Sequence, residues 1–131
     1  MKPAVSASKI TPPYFPHVLD RPRLIDRLMQ NRDKKLLLIL GQAAQGKSTL
    51  AVSYVKAAQV PSAWVNLGPE DSDPVNFFYL LVNSIQRVLK DIDLSPVLLY
   101  PSMIESPREE IPLYREWASV LLEMVSTPFH I

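Results

Sequence analysis

Between residues 41 and 49 the chain reads Gly41, Gln42, Ala43, Ala44, Gln45, Gly46, Lys47, Ser48, Thr49. The order fits G-x-x-x-x-G-K-[S/T], a pattern whose residue types suit a chain of phosphates. Such a ligand is polyanionic and strongly hydrated. It is held when successive backbone N–H groups curl into a nest and a helix N-terminus points at the same spot. Gly41 and Gly46 permit the backbone angles and the close approach. Lys47 brings a cation against the β- and γ-phosphates. The Ser48 hydroxyl is the expected Mg²⁺ ligand, with the ion bridging phosphate oxygens. Thr49 opens the following helix near the α-phosphate.

Such a loop works only if rigid elements hold both ends. Before it, Leu36-Leu37-Leu38-Ile39-Leu40 is an apolar run of strand length. After it, Leu50 to Ala58 are good helix formers free of Gly and Pro. Strand, loop and helix in that order are the context the motif requires. Upstream, four prolines at 3, 12, 13 and 16 suggest an extended N-terminal arm over 1–17. Asp20 is a candidate cap for a short helix over about 22–30, whose Leu24, Ile25, Leu28 and Met29 share one face. Residues 31–35 are a polar turn. Downstream, Ala63-Trp64-Val65-Asn66-Leu67 reads as a second strand. Asp73-Pro74 is an N-cap followed by proline at the first helical position, so a helix is predicted over 74–90. Its apolar face is Val75, Phe78, Val82, Ile85 and Leu89. Residues 91–106 read as irregular. Ser106-Pro107-Arg108-Glu109 has the form of a capping box, but Pro112 lacks an N–H and its ring clashes one turn back. A last helix is therefore expected from about Pro112, with Leu113, Trp117, Val120, Leu121 and Met124 inward, ending at Thr127-Pro128. Phe129-His130-Ile131 reads as the opening of a third strand. Strands alternating with helices predict an α/β fold with a parallel sheet flanked by helices.

Composition sets outer bounds. The 131 residues are 47% hydrophobic and 21% charged, with formal net charge +1. That is a globular balance with no strongly basic or acidic surface to mark a nucleic-acid or anionic-membrane partner. The absence of cysteine excludes disulfides and thiolate metal sites. No apolar run approaches a membrane span and the N-terminus lacks a secretory h-region, so a cytoplasmic location is expected.

Residues 18–90 resemble the N-terminal part of the ATPase module of STAND P-loop NTPases, nearest to the large LuxR-type transcriptional activators. Three stretches carry the likeness. They are Val18-Leu19-Asp20-Arg21-Pro22-Arg23-Leu24 with Leu28, then Leu36 to Leu50, then Ala63-Trp64-Val65-Asn66-Leu67 with Asp71-Ser72-Asp73-Pro74 and Phe77-Phe78. The resemblance implies a partial P-loop NTPase domain over 18–131 that binds ATP and Mg²⁺. It implies partnership with further domains of a parent regulator, or with itself as an oligomer. Val18, Leu19 and Arg23 inherit a place near the adenine, against the plainer reading of two core residues and a solvated arginine. Two departures stand out. Many relatives have Gly where Ala44 stands. No apolar strand here ends in the Asp-Asp or Asp-Glu pair that positions Mg²⁺ and the attacking water. Hydrolysis by this chain alone is therefore not expected, and the chain reads as stopping short of the acidic strand.

The remaining chemistry-bearing residues have simpler readings. His17 and His130 have no third ligand in view and make a poor metal site. Trp64 and the run Phe77, Phe78, Tyr79 read as core. Asp71 and Asp73 read as turn and cap residues rather than Mg²⁺ ligands. Two other functional classes share the loop motif: a small phosphotransferase, which would need an Arg-rich lid not visible here, and a truncated product without function.

Overall fold

The computed structural model describes residues 5–97, 107–125 and 131, with the backbone alone over 107–114. The chain divides into two compact units, one of Met1–Thr11 with Pro61–Ile131 and one of Pro12–Val60.

The Pro12–Val60 unit holds two helices. Helix α1, Pro22–Gln30, begins with Pro at its first position, where a missing N–H costs nothing. Its N-cap is Arg21, not Asp20, and makes no side-chain cap bond. The Arg21 carbonyl instead accepts from Leu24 and Ile25 N–H at 3.1 Å each. Helix α2, Lys47–Ala58, buries Leu50, Val52 and Tyr54 and packs on α1.

The other unit is built on α3, Pro74–Val88, and α4, Pro107–Met124. Asp73 caps α3 by accepting the Val75 N–H at 3.2 Å. The predicted inward positions Val82 and Ile85 are each 1% exposed. They pack with Ala63, Leu94, Val97, Trp117 and Leu121 into one apolar cluster. The Phe78 and Trp117 rings meet at 3.9 Å, tilted by 45°. Gln86 closes the end of α3: its amide donates to the Leu89 and Ile92 carbonyls and accepts the Leu94 N–H at 2.7 Å. These bonds turn the chain so that Leu94 and Val97 return to the core.

The expected parallel sheet is not there. Among the described residues no strand or sheet forms, and 36–40 and 63–67 run without a ladder. Leu36, Leu38 and Leu40 are 76%, 70% and 81% exposed, where a central parallel strand would be covered on both faces. A strand is stable only with hydrogen-bonded neighbours, and even a two-stranded pair is marginal in water. Among the described residues neither run has a neighbouring strand to pair with. The α/β expectation followed the apolar runs and not the availability of partners. The third expected strand, 129–131, falls largely outside the described residues, as does the capping box at Ser106. Helix α4 begins at Pro107 and continues through Pro112, against the expected start near Pro112. A single missing N–H inside an eighteen-residue helix is outweighed by the bonds on either side of it.

The arm expected over 1–17 contains a 3-10 turn, Ala7–Ile10, and it is tied to the loop after residue 66. Asn66 N–H donates to the Lys9 carbonyl at 2.7 Å, and the Asn66 amide donates to the Ser8 and Thr11 carbonyls. Lys9 Nζ donates to Asp71 Oδ2 at 2.6 Å and to Glu70 Oε1. Arg87 donates to the Ile10 carbonyl at 3.0 Å and to the Thr11 hydroxyl. The Lys9 ammonium, with the Gly68 N–H next in effect, holds the Asp71 carboxyl below its ordinary value. Glu70 is lowered chiefly by the same ammonium, and Lys9 is raised by Asp71 first and Glu70 second. A lowered folded-state carboxyl pKa stabilises the fold above the unfolded value, and that contribution is lost as pH falls through the folded value. A raised lysine pKa contributes below its unfolded value and is lost as pH rises through the folded one. The tie is therefore strongest between the two ranges. A ¹³C titration of the Asp71 carboxyl is expected to have its midpoint below the ordinary aspartate value. Lys9→Ala should raise it toward the ordinary range, with the Gly68 N–H still holding it somewhat below, and an unchanged midpoint in that variant would exclude the ion pair as the main cause.

Candidate functional site

The residues of the Gly41–Thr49 stretch come together as a closed curl on the N-terminus of α2. Lys47, the first residue of α2, folds its ammonium back over the loop. Nζ donates to the Gly41 carbonyl at 2.8 Å and to the Gln42 carbonyl at 2.6 Å. The Gln42 N–H donates to Gln45 Oε1 at 2.8 Å, so a loop amide is met by an oxygen from inside the loop. Gly46 is the N-cap of α2 and is left-handed, with φ 75° and ψ 30°. That conformation is strained for a residue with a Cβ. Space forbids one as well: a Cβ on Gly46 would lie 2.9 Å from Thr49 Oγ1 and 3.1 Å from the Arg21 guanidinium nitrogens.

Ala44 also has a positive φ, 61°. Ala44 stands where the resemblance implies glycine, yet the alanine adopts the left-handed angle. A left-handed non-glycine residue costs on the order of 1 kcal/mol, and short turns tolerate it.

Thr49 Oγ1 donates to the Gly46 carbonyl at 2.7 Å, and Leu50 N–H donates to the same oxygen at 3.0 Å. Arg21 Nη2 donates to that carbonyl at 2.8 Å and to Thr49 Oγ1 at 2.7 Å, while Nη1 reaches the Gln45 carbonyl at 3.5 Å. Arg21 was not picked out from the sequence as a site residue. It lies in the stretch that carries the resemblance, but nothing in residue spacing aims a side chain at a loop 25 positions later. Gln42, Ala43, Ala44 and Ser48 are exposed, and Gly46, Lys47 and Thr49 are half-buried.

A cleft of about 530 Å³ adjoins the loop. Arg21, Arg27, Gln45 and Lys47 line its polar side, and Leu24 and Leu40 are among its apolar lining. Cations beside an apolar wall suit an anion that carries a flat or apolar body. Val18 and Leu19, expected near an adenine, do not line this cleft and are 38% and 80% exposed. Arg23 lines a neighbouring hollow of about 480 Å³ with Arg21 and Arg27.

Among the described residues no group of three His, Cys, Asp or Glu is placed to hold a metal. Asp71 and Asp73 are engaged locally, with the Gly68 N–H and Lys9 and with the Val75 N–H. Trp64 Nε1 donates to Asn66 Oδ1 at 2.8 Å, so the indole supports the turn that receives the N-terminal segment. No helix among the described residues is long and apolar enough to cross a membrane.

The loop is thus a curl closed on itself by Lys47 and Gln45, with a left-handed glycine as the cap of the helix that follows. Against known proteins, the chain is 33% identical over 82 residues to the HTH-type transcriptional regulator MalT of Vibrio cholerae serotype O1. The likeness covers 61% of this chain and 9% of that regulator, so the chain spans a small part of the length of the protein it matches. It supports a link to MalT-type regulators. No family model matches the chain, and no solved structure matches it.

Proposed function

We propose that the chain is a segment of a transcription regulator of the MalT kind, and that it binds the phosphates of a nucleotide through Gly41–Thr49. The observation that carries this reading is the Lys47 ammonium set over the mouth of a curl that ends on the N-terminus of α2. An ammonium has three donors. Two are met by the Gly41 and Gln42 carbonyls, which leaves one for an incoming anion. Gly46 is the position where the loop needs glycine, since its φ is left-handed and a Cβ would crowd Thr49 Oγ1 and the Arg21 guanidinium. ATP with Mg²⁺ is the expected ligand. Ser48 would be the ligand this chain offers to the ion, with phosphate oxygens and water completing its shell. In this reading the chain binds the nucleotide, and the switching belongs to a parent protein, in partnership with its other domains or a second copy.

The test is a far-UV circular dichroism melt with and without Mg²⁺–ATP. Ligand at about a hundred times its Kd stabilises the form that binds it by about 2.7 kcal/mol, which moves a small unit's Tm by several degrees. Circular dichroism is the right probe because both tryptophans, Trp64 and Trp117, lie outside Pro12–Val60. An unchanged melt at millimolar Mg²⁺–ATP refutes the reading.

A further inference from the structure

We propose that Arg21 is the positioning residue of the phosphate loop: its guanidinium, bonded to the Gly46 carbonyl and the Thr49 hydroxyl, holds the left-handed turn and the start of α2 in anion-binding form. The inference rests on the phosphate-loop reading above and assigns the loop's geometry to a residue outside the motif.

Three observations converge on it. First, one guanidinium nitrogen donates to two acceptors that flank Lys47 and Ser48 in sequence, at 2.8 and 2.7 Å. Both acceptors belong to the first turn of α2, so the bonds fix its entry angle. Second, the guanidinium lies against Gly46 itself, 3.1 Å from where a Cβ would stand. The backbone reversal and the side chain that braces it occupy one packed volume. Third, Arg21 is the N-cap residue of α1. Its backbone starts one helix while its side chain holds the start of the other, so the loop is referenced to α1 and not only to its own helix.

The bonds also set charge. The Gly46 carbonyl oxygen accepts from Arg21, Thr49 and Leu50. Three donors on that oxygen leave it fully engaged at the start of α2, so the turn at Gly46 is held by the Thr49 side chain, the helix and Arg21 together. The guanidinium charge also adds favourable potential for an anion at the cleft that Arg21 lines with Gln45 and Lys47. Nη2 meets both acceptors while Nη1 reaches toward the Gln45 carbonyl, a planar two-nitrogen arrangement that a lysine ammonium does not reproduce.

Isothermal titration of the full chain with Mg²⁺–pyrophosphate tests this, since that probe contacts the loop alone. Arg21→Ala is expected to weaken binding about tenfold, the size of one charge-assisted hydrogen bond. Arg21→Lys should recover part of the loss, to about threefold. Thr49→Val removes the shared acceptor, and the double variant Arg21→Ala with Thr49→Val should bind within twofold of Arg21→Ala alone. A direct ligand would instead give losses that multiply. In the anion-free protein, the Gly46 amide resonance should shift in Arg21→Ala and move back in Arg21→Lys. Binding within twofold of the unsubstituted chain in Arg21→Ala, or multiplying losses in the double variant, overturns the assignment while leaving the loop reading intact. Failure of the unsubstituted chain to bind pyrophosphate overturns both.

Discussion

Lys47→Ala is expected to weaken Mg²⁺–ATP binding by roughly 30- to 150-fold, because it removes a charge-assisted hydrogen bond worth about 2–3 kcal/mol. The ammonium already spans the loop, donating to the Gly41 and Gln42 carbonyls. The substitution therefore removes both the cation and the clasp that keeps the curl closed. Lys47→Met separates the two from bulk, since it keeps most of the apolar stem and lacks the charge. Both variants should lose binding to a similar degree. Neither should alter the ligand-free melt by much, because both bonds are solvent-exposed and water replaces the lost donor at each carbonyl. The expected signature is a lost ligand shift on an unmoved baseline melt. Salt gives an independent check. Attraction between exposed charges is screened over about 10 Å at 0.1 M, so residual binding in the variants should depend less on ionic strength than that of the parent chain. Lys47→Ala binding Mg²⁺–ATP within twofold of the parent would rule out the loop as the phosphate site.

The helices were legible because their signals are local. Pro22 and Asp73-Pro74 mark helix starts by chemistry that acts within one turn, and α1 and α3 begin where those residues stand. The inward face of α3 followed from spacing alone, and Val82 and Ile85 are buried as the period requires. The sheet was not legible, because an apolar run states only that a segment is hydrophobic. Whether Leu36 to Leu40 becomes a strand depends on a second strand that its own sequence cannot specify, and Leu36, Leu38 and Leu40 are left exposed. Pro112 misled for the opposite reason: a local rule placed a helix boundary where the surrounding helix continues. In the site, the motif identified the loop residues and the structure closes them on one another through Lys47. Arg21 was hidden because its role depends on where α1 lies beside α2, a tertiary fact. The ties from Lys9 and Arg87 to other parts of the chain were hidden in the same way, across sequence separations of more than sixty residues.

Ile85→Ala is expected to destabilise the Met1–Thr11 with Pro61–Ile131 unit by about 2–5 kcal/mol, the cost of deleting a buried aliphatic side chain and leaving a cavity. Ile85 is 1% exposed at the centre of a cluster in which Val82, Leu94, Val97 and Trp117 are each at most 2% exposed. Such neighbours are held from several sides. Val82 is on the same helix, Leu94 is fixed by its bond to Gln86, and Trp117 comes from α4. Little collapse into the vacated space is available, so the loss should lie toward the upper part of that range. Domain stabilities are typically about 5–15 kcal/mol, which makes one such substitution enough to lower the melt sharply. Ile85→Val removes a single methylene and should cost about 0.5–1.5 kcal/mol. Urea unfolding followed by tryptophan fluorescence is the measurement, because Trp64 and Trp117 both belong to this unit. A lower midpoint with an unchanged m-value marks a loss of stability and not a change in the surface exposed on unfolding. The ring of Trp117 against Phe78 makes its emission sensitive to this packing, so a red shift should accompany the transition. A cost below about 1 kcal/mol would mean that the site relaxes freely, and that α3 and α4 do not share the tightly packed core described above.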